Sequence, residues 1–359
     1  MPGLLKDTLK AVLFGLLIAA LLLTLFPELR SPAQQRHSVF REEANLPALL
    51  SFSNAVRRAA PAVVNIYSLS IQSGTNLYSR QPNVRPEGLG SGVIMTPQGH
   101  VLTNYHVIDG ADQIVVALQD GRVLFPELIG TDPATDLAVL AIDAENLPVI
   151  PQDASLQPQV GDVVLAIGNP YNIGQTITQG IVSATGRAGM SSTGYQDFLQ
   201  TDAAINAGNS GGALVNSNGV LVGINTALFH INQRVEVPGI SFAIPYQLAA
   251  KVLKQLVTQG RVIRGYLGVS YRFERSAVIV GDRGVEISAV EPGSPAQQAG
   301  ILVGDLLVAI NGERVRNGQH AKDVFAETRP GTRITVTVIR NRQPLQLPVI
   351  VGELPPRLP

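Results

Sequence analysis

The chain has 359 residues, of which 45% are hydrophobic and 15% are charged, a composition typical of a globular protein with a large core. Lys and Arg together number 27, and so do Asp and Glu, so the chain has no net field that would hold a nucleic acid. The absence of cysteine excludes a disulfide framework, a thiolate metal site and a cysteine nucleophile. Five scattered histidines without an HExxH pattern give no metal signal, and we expect neither a metal nor a cofactor.

The N-terminus carries an uncharged apolar run, AVLFGLLIAALLLTLF, at residues 11–26. With its flanks the run approaches the roughly 20 residues that cross a bilayer. Lys6 and Lys10 precede it, which by the positive-inside rule leaves the N-terminus in the cytoplasm. We therefore predict a transmembrane anchor within residues 1–30 and, after it, a polar tether at residues 31–50. A cleaved signal peptide is the alternative, although the exit sequence FPELR offers no small-x-small cleavage site.

The rest of the chain divides into two predicted domains. Short β-branched runs separated by glycine or asparagine fill residues 63–222, a pattern typical of an all-β barrel or sandwich. Apolar residues at helical spacing predict a helix over residues 246–259, which Gly260 ends. Strand patterns interrupted by two helical segments follow and indicate a small α+β module. The predicted boundaries are residues 51–260 for the all-β domain and residues 261–355 for the α+β domain.

The segment AINAGNSGGALV places Ser210 among glycines. These are ordinary turn residues, so the segment alone is also compatible with a simple loop. A serine hydroxyl becomes a nucleophile only beside a base that a third group orients. His106 in VLTNYHV and Asp136 in TDPATDLAVL supply such groups, and their order in the chain is the His-Asp-Ser order of chymotrypsin-like double barrels. Asp132 is an alternative acid, whereas Asp202 is expected to be structural.

The motifs TNYHVI, TDLAVL, TDAAIN and GNSGGALVN together resemble the HtrA family of serine proteases, and the similarity extends over residues 51–355. The resemblance implies two six-stranded β-barrels with the catalytic cleft between them, followed by a PDZ domain. It also implies that His106 is the general base, Asp136 its orienting carboxylate and Ser210 the nucleophile. The backbone N–H groups of Gly208 and Ser210 are then the expected oxyanion hole, which stabilises the negative charge of the tetrahedral intermediate.

Further site residues follow from the family pattern. Four residues are expected to flank the substrate cleft, and none is charged, which favours a small or medium apolar side chain before the scissile bond; they are Ile205, Asn225, Thr226 and Leu228. Ile205 and Leu228 are equally compatible with an ordinary core role.

The resemblance implies a regulatory PDZ loop, and one further residue in the protease domain is a candidate for regulation. The PDZ carboxylate-binding loop is expected at Tyr266, Leu267, Gly268 and Val269. Arg187, in SATGRAG, is the residue we expect to relay a signal between loops, because a guanidinium fork can hold one loop arrangement and release another. A solvated loop arginine is the alternative for Arg187.

A single PDZ domain, a short cysteine-free loop at residues 72–87 and the predicted anchor together resemble the membrane-anchored sensor branch of the family. This branch implies a homotrimer in the inner membrane, with the protease and PDZ domains in the periplasm. The PDZ domain is then expected to bind exposed C-termini of misfolded outer-membrane proteins, after which a transmembrane anti-sigma factor is cleaved and the envelope stress response begins. A general periplasmic quality-control protease and a peptide-binding chaperone are the alternatives.

Overall fold

The computed structural model describes residues 2–25, 51–72, 83–169, 174–187, 198–226, 239–271 and 284–355. The chain forms two compact units, residues 1–51 and residues 52–359. The first unit contains helix α1 (Pro2–Leu25), whose described apolar side chains, such as Phe14 and Leu17, are exposed. Among the described residues, no helix combines the length and the apolar character needed to cross a membrane. The predicted tether at residues 31–50 lies outside the described residues.

The second unit begins with helix α2 (Ser53–Ala59), a 3-10 turn (Ala60–Ala62) and a seven-stranded antiparallel sheet. The sheet order is β5-β4-β1-β2-β3-β7-β6, and the short helix α3 (Tyr105–Ile108) follows β3. The strands are β1 (Val63–Gln72), β2 (Asn83–Ile94), β3 (His100–Thr103), β4 (Gln113–Ala117), β5 (Val123–Leu124), β6 (Glu127–Asp132) and β7 (Leu137–Ala141). Val116 of β4 and Leu140 of β7 share one buried cluster although three strands separate β4 from β7, so the sheet curves around a common interior.

This sheet differs from the six-stranded barrel that the resemblance implies. A tight turn, in which Leu118 N donates to Arg122 O at 2.8 Å, folds the chain back after β4 and adds β5 as a seventh strand. Within the described residues, no pair of hydrogen-bonded strands joins β5 to β6, so the sheet is curved without being a closed ring.

The second β-layer is a closed barrel with the order β10-β13-β12-β11-β8-β9. Its strands are β8 (Val163–Gly168), β9 (Thr176–Arg187), β10 (Phe198–Thr201), β11 (Ala213–Asn216), β12 (Leu221–Thr226) and β13 (Ser241–Pro245). Every residue of β12 is buried, because helix α4 (Tyr246–Gln259) packs on the barrel at this strand. The predicted helix over residues 246–259 is confirmed, and Gly260 ends it with a φ of 69° and an N–H bond to Leu256 O.

The last part of the chain is an α+β domain. Its main sheet has the order β15-β16-β17-β19-β20, β18 pairs with β17, and β14 pairs with β21. The strands are β14 (Gly265–Tyr266), β15 (Val269–Tyr271), β16 (Val285–Val290), β17 (Leu306–Ile310), β18 (Glu313–Arg314), β19 (Arg333–Arg340), β20 (Gln343–Ile350) and β21 (Gly352–Glu353). Two helices complete the domain, α5 (Pro295–Gln298) and α6 (Gly318–Glu327), each begun by a capping side chain, Ser294 and Asn317.

One ion pair stabilises the interior of the α+β domain. Asp305 is 2% exposed and accepts hydrogen bonds from Arg340 Nε at 2.8 Å and Arg340 Nη2 at 2.7 Å. Burial raises the pKa of Asp305, but the Arg340 guanidinium and the N–H of Leu302 outweigh this effect, so the pKa lies below its usual value. The pair therefore holds the turn between α5 and β17 against β19.

Candidate active site

The short helix α3 holds the predicted base against the predicted acid. His106 Nδ1 lies 2.8 Å from Asp136 Oδ2, and the backbone N–H of His106 donates to Asp136 Oδ1 at 3.0 Å. One carboxylate therefore binds both the ring and the backbone of the histidine, which fixes the orientation of the imidazole. The His106 side chain is 29% exposed and that of Asp136 is 10% exposed, so the ring is accessible while the acid beside it is nearly buried.

Asp136 has a backbone conformation that few residues adopt. Its φ is 54°, in the left-handed region where Asp and Asn are enriched, and such strain costs roughly 1–3 kcal/mol. The Asp136 carbonyl accepts hydrogen bonds from Tyr105 N at 3.0 Å and from Asn104 Nδ2 at 2.9 Å. Because both donors directly precede His106, the bonds that hold the strained residue also position α3.

Thr226 lies beside the acid, at the end of β12. Its hydroxyl donates to Asp136 Oδ2 at 3.4 Å, and the residue is 2% exposed. The hydroxyl of Thr226 is directed to the nearly buried carboxylate, and the predicted place of this residue beside the substrate cleft stays a prediction. Thr226 is therefore a supporting partner of Asp136.

Asn225 precedes Thr226 on β12. It is fully buried, and its Nδ2 donates to Ala213 O at 3.1 Å and to Ile167 O at 3.3 Å in the second barrel. These bonds hold the Asn225 side chain against β11 and β8, and its place beside the cleft stays a prediction.

The other two cleft residues have separate outcomes. Ile205 is half-buried, packs against the core of the second barrel, and keeps part of its surface accessible. Leu228 lies outside the described residues. Arg187 is the last residue of β9, and its side chain lies outside what the structure describes.

The segment that carries Ser210 is a series of tight turns. Asn209 N donates to Asn206 O at 3.0 Å, and Gly212 N donates to Asn209 O at 3.0 Å. Gly208 has a φ of 97°, a conformation that residues with a Cβ rarely adopt. Ser210 itself is 3% exposed. The glycines of GNSGG are thus required by the backbone path as well as by the proposed chemistry.

Gly211 brings this segment against the one that leads to His106. Its φ is 81°, and a Cβ there would lie 2.1 Å from Ser91 O, 2.4 Å from Thr103 Oγ1 and 3.1 Å from Asn104 N. Because Asn104 immediately precedes α3, only a glycine permits the serine segment to approach the histidine helix this closely. The structure therefore brings the regions of all three predicted triad residues together.

The alternative acid, Asp132, has another partner. Arg264 Nη1 donates to Asp132 Oδ1 at 2.7 Å, and Arg264 Nη2 lies 2.5 Å from Asp132 Oδ2. The Thr135 hydroxyl also donates to Asp132, which is 4% exposed. Asp202, expected to be structural, accepts from Ile181 N at 2.7 Å. These contacts favour Asp136 over Asp132 as the acid that orients the histidine.

The predicted carboxylate-binding loop runs from β14 into β15. Gly268 has a φ of 82°, and a Cβ there would lie 2.2 Å from the Cβ of Ser294. The Gly268 carbonyl accepts from Glu291 N at 2.9 Å, and the Leu267 carbonyl accepts from Ala296 N at 2.9 Å. Both carbonyls are thereby held by the segment that runs from the end of β16 into α5. In the described part of the chain β15 pairs with β16 and stands at one end of the strand order of the main sheet.

Tyr266 and Val269 complete this loop. The Tyr266 hydroxyl donates to a Glu291 carboxylate oxygen, and Val269 packs against the core of the α+β domain.

Within the described residues, no group of three or more histidine and carboxylate side chains is placed to hold a metal ion.

Two residues that support the acid and the nucleophile are not predicted from the sequence. Asn104 contacts Asp136, and Ser91 contacts the Ser210 segment. Asn104 could have been found from its place inside TNYHVI, whereas nothing in the sequence near Ser91 marks it. Thr226 is predicted as a site residue, but its contact with Asp136 is not.

Comparisons with known proteins identify the two domains and the family of the chain. Residues 90–224 match the trypsin-like peptidase domain, and residues 286–340 match a PDZ domain. The chain is 49% identical over 354 residues to the serine endoprotease DegS of Escherichia coli K12, across 97% of this chain and 98% of DegS. It is 38% identical over 354 residues to the periplasmic pH-dependent serine endoprotease DegQ of the same organism, across 93% of this chain and 77% of DegQ.

A solved structure, the HtrA-type protease AlgW with a decapeptide, superposes with a TM-score of 0.76 at 44% identity, over 86% of this chain and 100% of that chain. A chymotrypsin-like β domain is followed by a PDZ domain, and the chain is a serine endopeptidase. Identity over nearly the full length makes it a member of the HtrA family, of the DegS type.

Proposed function

We propose that the chain hydrolyses peptide bonds with Ser210 as the nucleophile, His106 as the general base and Asp136 as its orienting carboxylate. The observation that carries this proposal is the pairing of His106 Nδ1 with Asp136 Oδ2 at 2.8 Å. With Nδ1 engaged, Nε2 is the ring nitrogen that takes the proton from Ser210 and later gives it to the leaving amine. The N–H groups of Gly208 and Ser210 stabilise the oxyanion, and water then releases the acyl-enzyme.

We propose that the substrate has a small or medium apolar side chain before the scissile bond. Ile205 supports this, because it is half-buried against apolar barrel residues and leaves part of its side chain accessible. Leu228 remains a proposed member of the same pocket on the family pattern alone.

We propose that the PDZ domain controls the protease by sensing exposed C-termini of misfolded outer-membrane proteins. The position of β15 at the end of the described strand order, next to the loop of Tyr266, Leu267, Gly268 and Val269, supports this, since a PDZ ligand adds a strand at the edge of a sheet. The decapeptide bound to the relative AlgW agrees with a peptide ligand. The activated enzyme then cleaves a transmembrane anti-sigma factor and starts the envelope stress response, with Arg187 relaying the signal between loops.

A free peptide with an apolar C-terminal end is expected to raise turnover, and amidation of the same peptide is expected to weaken this effect by about 10- to 150-fold. The reason is that the loop N–H groups bind an ionised carboxylate through charge-assisted hydrogen bonds, worth about 1.5–3 kcal/mol, which an amide cannot form. The half-activating concentrations of the two decapeptides, measured with a fluorogenic substrate, check this expectation.

Gly268→Ala supplies the matching variant, because its new methyl group would meet Ser294 and distort the loop. Gly312→Ala is the control, since Gly312 has the same φ of 82° and has nothing within 4 Å of an added Cβ. Peptide activation is expected to be lost in the first variant and kept in the second. Equal potency of the acid and amide peptides would contradict carboxylate sensing.

We also propose that residues 1–30 anchor a homotrimer in the inner membrane, with residues 51–260 and 261–355 folding as the periplasmic protease and PDZ domains. The uncharged run at residues 11–26 behind Lys6 and Lys10 supports the anchor, and the periplasmic relative DegQ supports the compartment. N-terminal sequencing of the native protein tests the anchor. A start near Met1 supports a retained anchor, whereas a start beyond Arg30 favours the released quality-control protease.

The peptide-binding chaperone is the other candidate function. Labelling of Ser210 by a fluorophosphonate probe, with and without activating peptide, separates it from the protease.

A further inference from the structure

Ser91 lies in the middle of β2 and is fully buried directly beneath the segment that carries the proposed nucleophile. Its Oγ lies 2.7 Å from Gly208 O and 3.0 Å from Asn169 N. Its backbone N–H donates to Ser210 O at 2.8 Å, and its carbonyl accepts from Thr103 Oγ1 at 2.7 Å. One residue of the first sheet therefore contacts the serine segment with both its side chain and its backbone.

The direction of each hydrogen bond to the Ser91 hydroxyl follows from its partner. A backbone N–H can only donate, so Ser91 Oγ accepts from Asn169 N. A carbonyl can only accept, so the single hydroxyl proton is given to Gly208 O. Because the hydroxyl is fully buried, water cannot easily replace it as the hydrogen-bond partner of Gly208 O and Asn169 N.

These contacts fix the two peptide planes on either side of the Ser210 N–H. The peptide between Gly208 and Asn209 is held at its carbonyl by Ser91 Oγ and at its N–H by Asn206 O at 3.0 Å. The carbonyl of Ser210 is held by Ser91 N. The Ser210 N–H lies in the peptide between these two, so its direction is set from both sides. Gly208 lacks a Cβ, which makes the first of these planes the one that rotates most easily without such a bond.

We propose that Ser91 is a positioning residue for the oxyanion hole, acting through Gly208 O and Ser210 O. This inference rests on the proposed role of Ser210 and of the Gly208 and Ser210 N–H groups. The Ser91 hydroxyl also binds Asn169 N, so it joins the serine segment to the C-terminal end of β8 as well.

Ser91→Ala removes the hydroxyl and leaves both Gly208 O and Asn169 N without their partner. Loss of one oxyanion donor costs about 10²–10³ in kcat, and we expect a misdirected donor to cost about 10- to 100-fold. KM is expected to change by less than about 3-fold, because the oxyanion hole binds the transition state more strongly than the substrate. Ser91→Thr keeps a hydroxyl and is expected to restore most of the lost turnover.

The experiment uses the full-length chain with a saturating apolar-ended decapeptide and an internally quenched peptide substrate. It compares the wild-type chain with Ser91→Ala, Ser91→Thr and Ser91→Cys. The cysteine variant replaces the hydroxyl with a thiol, which is a weaker hydrogen-bond donor, and serves in place of Ser91→Ala if the alanine variant does not fold. Ser68→Ala, a buried serine on the neighbouring strand β1, is the matched control. The readouts are kcat, KM, the melting temperature and the inhibition constant of a peptidyl trifluoromethyl ketone, whose adduct places an oxyanion in the hole.

The proposal is supported if Ser91→Ala lowers kcat, changes KM by less than about 3-fold, and raises the inhibition constant of the ketone in proportion to the loss in kcat. Ser68→Ala is expected to leave all three quantities unchanged. Full turnover by Ser91→Ala, or a loss in kcat with unchanged inhibition by the ketone, would overturn it. So would equal losses in Ser68→Ala, which would indicate a general effect on the sheet. If a fluorophosphonate does not label Ser210 in the wild-type chain, the proposed nucleophile is wrong and this inference fails with it. A labelled wild-type chain with a fully active Ser91→Ala rejects only the role of Ser91.

Discussion

Replacing Ser210 with alanine is expected to lower kcat for a peptide substrate by about 10⁶-fold while the chain keeps its fold. The substitution removes the only atom that would attack the carbonyl, and His106 and Asp136 have no other nucleophile to activate. Only one oxygen atom is lost from a segment whose backbone is fixed by its own turns and by Ser91, so the structure has no reason to rearrange.

Progress curves with a quenched peptide measure the loss, and thermal unfolding checks the fold. Ser68→Ala is again the matched control, because it removes a hydroxyl from an equally buried site away from the serine segment. Wild-type and Ser68→Ala protein are expected to take up a fluorophosphonate, and Ser210→Ala is not. Near-normal turnover by purified Ser210→Ala would falsify the assignment of the nucleophile.

The sequence predicts the candidate site well where one short motif fixes a local structure. TNYHVI places His106 in helix α3, three positions after the end of β3, and TDLAVL places Asp136 directly before β7. Because β3 and β7 pair directly, with Thr103 opposite Ala138, the segments just beyond these two strand ends meet in space although they are distant in sequence. The order of the motifs therefore contains most of the information about the pairing of base and acid.

The sequence is less informative where both faces of a strand are buried. An alternating strand shows which residues face solvent, but all six residues of β12, LVGINT, are buried. Nothing in that run distinguishes a residue beside the cleft from one directed into the barrel. Asn225 and Thr226 are predicted to flank the cleft from the family pattern alone, and the structure adds that Asn225 Nδ2 donates to Ala213 O and that the Thr226 hydroxyl donates to Asp136.

Contacts between residues far apart in the chain cannot be predicted from the sequence, and the reason differs from that for β12. The partner of Asp132 is Arg264, on the segment between α4 and β14, and the partner of Gly208 is Ser91. No periodicity links such positions, since each contact depends on how whole sheets and domains pack. The extra strand β5 has a local origin instead, because a turn of a few residues decides whether β4 and β5 form a hairpin.

Asp136→Asn is expected to lower kcat by about 10⁴-fold, although it is nearly isosteric. The amide oxygen can keep the hydrogen bond from His106 N, which leaves the amide N–H₂ facing His106 Nδ1. That group donates where the carboxylate accepted, so it stabilises the tautomer with the proton on Nε2. In this tautomer Nε2 cannot take the proton of Ser210. The loss in kcat therefore comes from the wrong tautomer of the His106 ring, and not from a change in the position of the ring.

The backbone supports this interpretation, because asparagine tolerates the left-handed conformation that Asp136 adopts at a φ of 54°. The carbonyl bonds from Tyr105 N and Asn104 Nδ2 do not involve the altered side chain and are expected to persist. Asp132→Asn is the matched comparison, four positions earlier and also buried. It breaks the charge pair with Arg264, so we expect a loss of thermal stability and a much smaller change in kcat. Measuring kcat and the melting temperature of both variants decides between the two acids, and a 10⁴-fold loss in Asp132→Asn with an active Asp136→Asn would show that Asp132 orients the histidine.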